Sequence, residues 1–405
     1  MNSGENCCSE SSVVDMLVWN TFQNDARVKN EAETLAGGGY HVAVHALHAP
    51  GYTQQQEFLP SGVEVIRHGR KQGLRLLSPR KHTARRNRLE LIALLLSRLL
   101  THLLMLANLV KRRPDVVHAH DVNVLPTAWL AAKLSGAKLV YDAHEISSGR
   151  EGYRKIGRLV AWVEKAIMPK AAGSITTTEA RAKFFARAYR MPRPLVLQNR
   201  PRLVRVEGDD RLRRELGLEE SYPIVIYQGG LQPGRGLDRL VEAAAKVDGA
   251  YFVFVGGGSV EGELKALVEK LGLQSRVFFI PTVPLAELPY YTASADIGVQ
   301  PIENTCLNHF TTDSNKLFEY VVARLPIVAT GLPEIARVVK QHDLGLLVPS
   351  GDTKALSAAI QRLVDDAALR KRFSINAENA SAELNWEEQE QALVSMYDSI
   401  LTGAA

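Results

Sequence analysis

The sequence predicts two α/β domains, each a parallel sheet wound with helices on both faces, meeting at a cleft. Three observations carry that expectation. The chain is 405 residues long, more than one ordinary domain holds and enough for two or three. Short apolar runs alternate with helical patterns along most of it, which is the grammar of βαβ units. That grammar stops in a stretch rich in Arg and Glu, near residues 202–221, and then begins again.

The first strand is expected at Val13–Trp19, followed by a loop and a helix over about Arg27–Ala36. Gly37-Gly38-Gly39 ends that helix, because glycine accepts the left-handed backbone of a helix stop. His41–Leu47, Val63–Arg67, Val116–His120, Leu139–His144 and Ser174–Thr178 read as further strands, and Leu195–Gln198 closes this half. After the break, strands are expected at Ile224–Gln228, Tyr251–Val255, Val277–Pro281, Ile297–Pro301, Ile327–Thr330 and Leu346–Val348. From Thr353 onward the pattern is helical, with a polar break at Asn385-Trp386 before a last amphipathic helix. The expected division is a disordered leader (1–12), a first domain (13–201), a linker region (202–221), a second domain (222–384) and a closing helix (385–405). Ligands of such sheets sit at the carboxyl ends of the strands, facing the cleft.

Composition removes several function classes. Hydrophobic residues make up 46% and charged residues 23%, values of a globular enzyme and not of a disordered or fibrous chain. Cys7, Cys8 and Cys306 cannot frame a disulfide scaffold, and no Cys/His group has metal-ligand spacing. Met1–Ser12 is polar and lacks the basic and apolar regions of an export signal, so a reducing cytosol is expected.

Charge is uneven. Arg67–Arg113 holds 13 Lys/Arg against Glu90 alone, a local +12; the whole chain carries +5, which leaves −7 for everything else. Such a block suits an anionic membrane surface. Nucleic acid is not expected, since the block has neither interleaved aromatics nor a groove-reading motif. A solvated basic face stays open. Within the block, Leu89–Val110 is 22 residues long, near the length that spans a bilayer. Glu90, Ser97, Thr101 and Asn108 share one helical stripe, and Arg98 in mid-bilayer would cost roughly 2.5–3.5 kcal/mol, so spanning is not expected. The reading is a buried crossover helix, with in-plane membrane contact compatible with it.

The most informative segment is Ser314–Thr330, SNKLFEYVVARLPIVAT. Ser314 or Asn315 can cap a helix whose free N–H groups face an anion, and Lys316 adds a charge there. Glu319, one turn on, can point into the same cleft and accept hydrogen bonds from a ribose diol. The bare alternative is a surface helix with a Lys/Glu pair. Tyr227–Leu237, YQGGLQPGRGL, ends a strand in Gly229-Gly230 and delivers Arg235 ahead of the next helix, where it can grip a diphosphate. A plain glycine-rich turn is also possible there, and Gly256-Gly257-Gly258 is explained by a tight turn alone.

SNKLFEY…LPIVAT, YQGGLQPGRGL, VGGG and Ile280–Pro301 resemble the donor domain of the family 4 retaining glycosyltransferases of GT-B fold. NDARVKNEAETLA, DVVHAHDVNVLPTAWLAAKLSGAKLVYDAHE, VLQNRP and a closing NWEEQ helix are similar to the same family, in the same order, from about Val13 to Leu401. The resemblance implies two Rossmann-like lobes with the closing helix crossing back to the first. It implies that Glu319 holds the donor ribose, while Asn315, Lys316 and nearby amides, those of Gly229, Gly230, Ser314 and Leu317, hold the diphosphate. Arg235 stands where the family usually has a Lys, the Val283 backbone would meet the base, and His144 in YDAHE matches the active-site histidine. Three positions depart from the family. Thr311 replaces a Glu eight residues before Glu319, a contact that Thr312 or Asp313 could supply. Gly230 replaces an Arg. The first loop reads NTFQNDARV, where Asn24, Asp25 and Arg27, with His120, would face the acceptor and the phosphate.

With no DxD triplet, the implied reaction uses no metal and no cofactor, and Arg235, Lys316 and helix N-termini carry the leaving diphosphate. The leaving phosphate oxygen would take the acceptor's proton. His144 would orient the sugar and support the oxocarbenium-like centre through its backbone carbonyl or neutral ring, not as general base. The expected partners are a nucleotide sugar (UDP- or GDP-linked), a lipid-linked or polysaccharide-precursor acceptor and, through Arg67–Arg113, the inner face of the plasma membrane. A sugar-nucleotide 2-epimerase and a non-catalytic scaffold that binds nucleotide sugar are the alternatives.

Overall fold

A computed structural model describes residues 11–69, 88–149, 156–206 and 208–403. The proposed leader up to residue 10 and the basic residues 70–87 therefore lie outside the described residues.

The first domain contains β1 (Val13–Leu17), α1 (Ala26–Gly37), β2 (His41–Leu47), β3 (Gln56–Phe58), β4 (Glu64–His68) and α2 (Arg88–Arg112). It continues with β5 (Val116–His120), α3 (Leu125–Ser135), β6 (Lys138–Ala143), α4 (Gly157–Ile167), β7 (Gly173–Thr176), α5 (Glu179–Tyr189) and β8 (Leu195–Val196). Its sheet runs β3-β4-β2-β1-β5-β6-β7-β8, all parallel except the short β3 at the edge, which the sequence reading did not anticipate. Three residues carry too little alternation to be seen.

The second domain contains α6 (Arg211–Leu216), β9 (Ile224–Gln228), α7 (Leu237–Ala244), β10 (Tyr251–Val255), α8 (Glu261–Lys270), β11 (Val277–Ile280) and α9 (Leu288–Ala293). Then follow β12 (Ile297–Gln300), α10 (Leu307–Phe310), α11 (Asn315–Val322), β13 (Ile327–Thr330), α12 (Pro333–Gln341), β14 (Gly345–Val348), α13 (Thr353–Asp365) and α14 (Ala367–Ser381). The sheet is fully parallel, β11-β10-β9-β12-β13-β14. Buried on both faces, its strands are near-continuous apolar runs such as Tyr251–Val255, as a helix-covered parallel sheet requires. The supposed linker is partly this domain: Leu212 of α6 is buried in its core.

The last helix, α15 (Glu387–Thr402), crosses back to the first domain. Trp386, Leu393, Tyr397 and Ile400 join the core beneath β1 and α1, and Trp386 donates its indole N–H to Thr34 at 2.8 Å. The fold is two Rossmann-like domains, with a topological switch between β1 and β5 in one and between β9 and β12 in the other.

Two expectations about the basic block are corrected. Arg67 is buried and paired with Glu57 at 2.6 Å, and Arg112 pairs with Asp15 at 3.0 Å and Glu64 at 3.1 Å, so these cations serve the fold and not an outside surface. Nor is α2 a buried crossover helix. Only Met105 and Leu109 are buried in it. The stripe holding Ser97, Thr101 and Asn108 faces the protein, alongside His102, whose Nδ1 lies 2.9 Å from the Thr127 hydroxyl of α3. The leucines face out. Periodicity fixes that a helix has two faces but not which one the protein takes.

Candidate active site

The candidate residues of the second domain lie at the switch point of its sheet. β9 ends at Gln228, and Gly229 follows with φ at 112°, a left-handed conformation that suits glycine. A Cβ on Gly256 would come within 2.2 Å of the Gly229 carbonyl oxygen, so the two glycine turns pack backbone on backbone. That is a packing role for Gly256, as the bare reading of that turn had it. Beside them starts α11. Its cap, Ser314, has φ at 50°, a strained value for a residue with a side chain, and its hydroxyl makes no capping bond. The first N–H groups of α11 thus stay open to a ligand. Leu317 adds packing only: its side chain is fully buried and its N–H already donates to the Ser314 carbonyl at 3.2 Å.

Lys316 reaches from α11 to the Gly229 turn and lies 5.2 Å above the Tyr227 ring. Burial, and then the charge of Arg235, push its ammonium down to about 7. Among the described residues neither cation has a carboxylate within ion-pair distance. Two unneutralised cations over open amides form a site for a polyanion. Glu319 projects from the next turn of α11. Gln228 donates to it at 2.6 Å, and Thr292 in turn donates to Gln228 at 2.7 Å, fixing the amide. Burial raises the Glu319 carboxyl, against the opposing pull of Gln228 and Lys316. Glu319 also lines a cavity of about 220 Å³ between α1, residues 201–206 and α9. Val283 packs against the second-domain core in the loop after β11.

Because Lys316 is only partly charged near neutrality, an arriving diphosphate should complete its protonation. Nucleotide-diphosphate affinity is therefore expected to fall as pH rises through about 7. Calorimetry in buffers of different ionisation enthalpy should register proton uptake; proton release on binding would refute this.

Across the cleft, His144 follows β6. Its Nε2 lies 2.8 Å from Asp142 and its Nδ1 3.8 Å from Asp121. Arg27 of α1 grips Asp142 with both Nε (2.6 Å) and Nη2 (2.9 Å). Burial works against charge on all three, but the ion pairing wins: Asp142 is held well below the usual carboxylate range and His144 is raised to about 10. His144 is thus an imidazolium, not the neutral ring expected from the sequence. Its carbonyl is occupied as well, accepting from Arg181 at 2.6 Å and from Thr177 at 3.4 Å. What remains for a substrate is Nδ1–H.

Two acceptor-loop expectations change with this. Arg27 does not face the cleft; its remaining donor goes to the Leu197 carbonyl and Asn199. His120 is buried, 3.3 Å from both Asp142 and His144, and supports them from below. Asn24 is exposed, and Asp25 caps α1 by accepting from Val28. Glu31, His118, His120 and Asp142 each place one ligand-type atom within 4.8 Å of the others, a grouping that chain spacing hid. Arg27 already lies on both carboxylates, 3.2 Å from Glu31, so a fixed cation fills the role of counter-charge.

Arg181, on α5, was missed because no motif marks it. Its guanidinium bonds the His144 carbonyl and Thr177 in one domain, Thr311 (3.3 Å) and the Asn308 carbonyl (3.2 Å) in the other. Thr311, where the resembled family has Glu, is consumed by this bridge, and Asp313 is buried against Gln198 at 2.7 Å. Neither replaces the absent carboxylate as a free group.

The family described as glycosyl transferases group 1 matches residues 208–380, and the glycosyl transferase 4-like domain matches residues 25–200. The chain belongs to this family of glycosyltransferases. It is a nucleotide-sugar glycosyltransferase, a hexosyl-transferring enzyme. It is 25% identical to a D-inositol 3-phosphate glycosyltransferase of Geodermatophilus obscurus over 305 residues, 70% of this chain and 66% of that one. The match thus spans about two thirds of that relative's length. Sucrose-phosphate synthase of Thermosynechococcus elongatus superposes with a TM-score of 0.79 at 20% identity, covering 97% of this chain and all of the other (100%). HepE of Anabaena, solved with UDP-glucose, gives 0.74 at 17% identity, covering 96% and 100%. At such identities these structures speak for the GT-B fold.

In this glycosyltransferase, then, Lys316 and the open amides gather on α11 and the turn after β9. The His144 cluster closes the opposite wall, and Arg181 ties the two walls together.

Proposed function

We propose that this enzyme moves a sugar from a UDP- or GDP-linked donor, with retention and without a metal, to a hydroxyl of a glycolipid or polysaccharide precursor. It would work at the inner face of the plasma membrane. The observation that carries the reading is the pair Lys316 and Arg235, unneutralised beside the open start of α11, with Glu319 one turn further on. That set can hold a diphosphate and a ribose together.

In this mechanism the donor diphosphate neutralises Lys316 and Arg235, and the growing charge on the leaving oxygen meets amides and cations already in place. The acceptor hydroxyl attacks from the face of the departing phosphate, whose oxygen takes its proton. An imidazolium cannot act as a base, so His144 donates from Nδ1 to an oxygen of the sugar or the diphosphate. The UDP-glucose held by the Anabaena protein makes UDP-sugars the first donors to try.

The test is nucleotide release from UDP- and GDP-sugars with and without lipid-linked acceptor, in excess EDTA. Acceptor-dependent release, unaffected by chelation and with the anomeric configuration kept, is expected. Loss of turnover in EDTA would end the metal-free reading; sugar conversion without acceptor would indicate an epimerase, and no release with any donor a scaffold. Separately, Glu319→Ala should weaken nucleotide-diphosphate binding at least tenfold, since a hydrogen bond to a charged group is worth about 1.5–3 kcal/mol. Unchanged affinity in calorimetry would remove Glu319 from the ribose site.

A further inference from the structure

The outer face of the first domain inverts the usual rule. β4 to β5, β5 to β6 and β6 to β7 all step the same way across the sheet, so right-handed crossovers put α2, α3 and α4 in one layer. On α2, Leu89, Leu96 and Leu99 are 77%, 61% and 55% exposed, with Leu91, Ile92, Leu95, Leu100, Leu103 and Leu104 open as well. Leu134 of α3 and Leu159 and Trp162 of α4 extend the surface; Trp162 is 68% exposed. Polar groups point inward instead. Asn108 has a buried, unpartnered oxygen, and Glu164 is buried, accepting from Tyr141 at 2.6 Å and Tyr189 at 2.8 Å. A helix of 25 residues is about 37 Å long, so this apolar strip runs the length of the domain.

We infer that this three-helix layer is a monotopic membrane surface, seated in the acyl region of one leaflet with α2 lying in the plane of the bilayer. Charge selects the occupant. The exposed charges around the leucines include Arg88, Arg98, Lys111, Lys133, Arg158 and Lys165, all cationic. Two copies meeting through this face would set like patch against like patch and oppose their cations. Anionic headgroups complement the same ring. Spanning is ruled out by the fold itself, because α2 is a βαβ crossover whose inward stripe packs on α3. This differs from a purely electrostatic contact of the basic block, since it requires leucine and tryptophan below the headgroups. Only one consequence rests on the transferase reading. The loop after His144 leads into α4, with the Asn308 side chain accepting from Ile146 at 2.8 Å, so the embedded layer flanks the cleft and suits an acceptor whose head lies at the interface.

The experiment uses the full chain with vesicles of phosphatidylcholine and phosphatidylglycerol, some carrying bromine on the acyl chains. Brominated lipid should quench tryptophan fluorescence, Trp162→Phe should remove most of that quenching, and 1 M salt should weaken binding without abolishing it. The triple variant Leu95→Gln, Leu99→Gln, Leu103→Gln should partition at least tenfold less while keeping its nucleotide-diphosphate affinity. That retained affinity separates a failure here from a failure of the donor site. Binding that salt fully reverses, with no acyl-chain quenching, would overturn embedding. So would lipid-free self-association that the triple variant abolishes, which would assign the face to a second copy.

Discussion

Lys316→Met is expected to lower kcat/KM by about 10²–10³-fold, the usual effect of removing one preorganised group from a developing anion, or roughly 2.7–4 kcal/mol. Lys316 touches the turn after β9 from the start of α11, so it bridges the two backbone segments that would cradle the diphosphate. Its only charged neighbours of note are Arg235, which opposes it, and Glu319, which favours it. An apolar side chain of similar length relieves a buried, unpaired ammonium, so the fold should not suffer, and melting temperature is the control. The loss should appear mainly in kcat, because charge on the leaving oxygen grows toward the transition state. Proton uptake on nucleotide binding should vanish with it. Arg235→Met should act in the same direction. A kcat/KM within threefold of the parent enzyme for both variants would mean that the diphosphate is held elsewhere.

Asp142→Asn should act through His144. Without the carboxylate at 2.8 Å, the more distant Asp121 at 3.8 Å is left to offset burial and the nearby Arg27, and the imidazole falls from about 10 toward its ordinary range. At neutral pH the ring would then lose most of its charge, and turnover is expected to drop about tenfold. The sign of the pH dependence distinguishes this from simple damage: variant activity should recover as pH falls and His144 regains its proton. The parent keeps its imidazolium until pH approaches 10. The buried Arg27 guanidinium would keep Glu31, at 3.2 Å, as a charged partner, and breaking its pair with Asp142 costs up to about 3–5 kcal/mol of stability, so the variant should be assayed well below its melting temperature. Imidazole chemical shifts against pH read the change directly. A His144 that titrates unchanged in Asp142→Asn would detach it from Asp142, and a flat variant profile would make the role structural.

Much of the candidate donor site was legible because its residues lie close along the chain. Ser314, Lys316 and Glu319 occupy two turns of one helix, so their spacing alone puts them on adjoining positions. Gly229 announced a turn, and its left-handed φ shows why glycine is there. The His144 wall was less legible. Asp142 lies near the end of β6 and His144 just beyond it, two residues on, so the period-2 geometry of the strand end brings both to one side, a signal available in YDAHE. Arg27 lies 115 residues from Asp142 in the chain, and nothing local says that the two meet. Arg181 could not be read at all, since its partners come from both domains.

The order of apolar runs determined by itself that the chain would form two parallel-sheet domains, and the glycine turns and the Lys316–Glu319 spacing marked the candidate site beside the second sheet. Those are properties of neighbouring residues, and local backbone geometry transmits them. Only the tertiary structure decided that Arg27 and His120 lie under the site, that His144 is charged, and that the leucines of α2 face outward. Burial and ion pairing depend on which distant segments meet, and helical periodicity is blind to which of its two faces the rest of the protein covers.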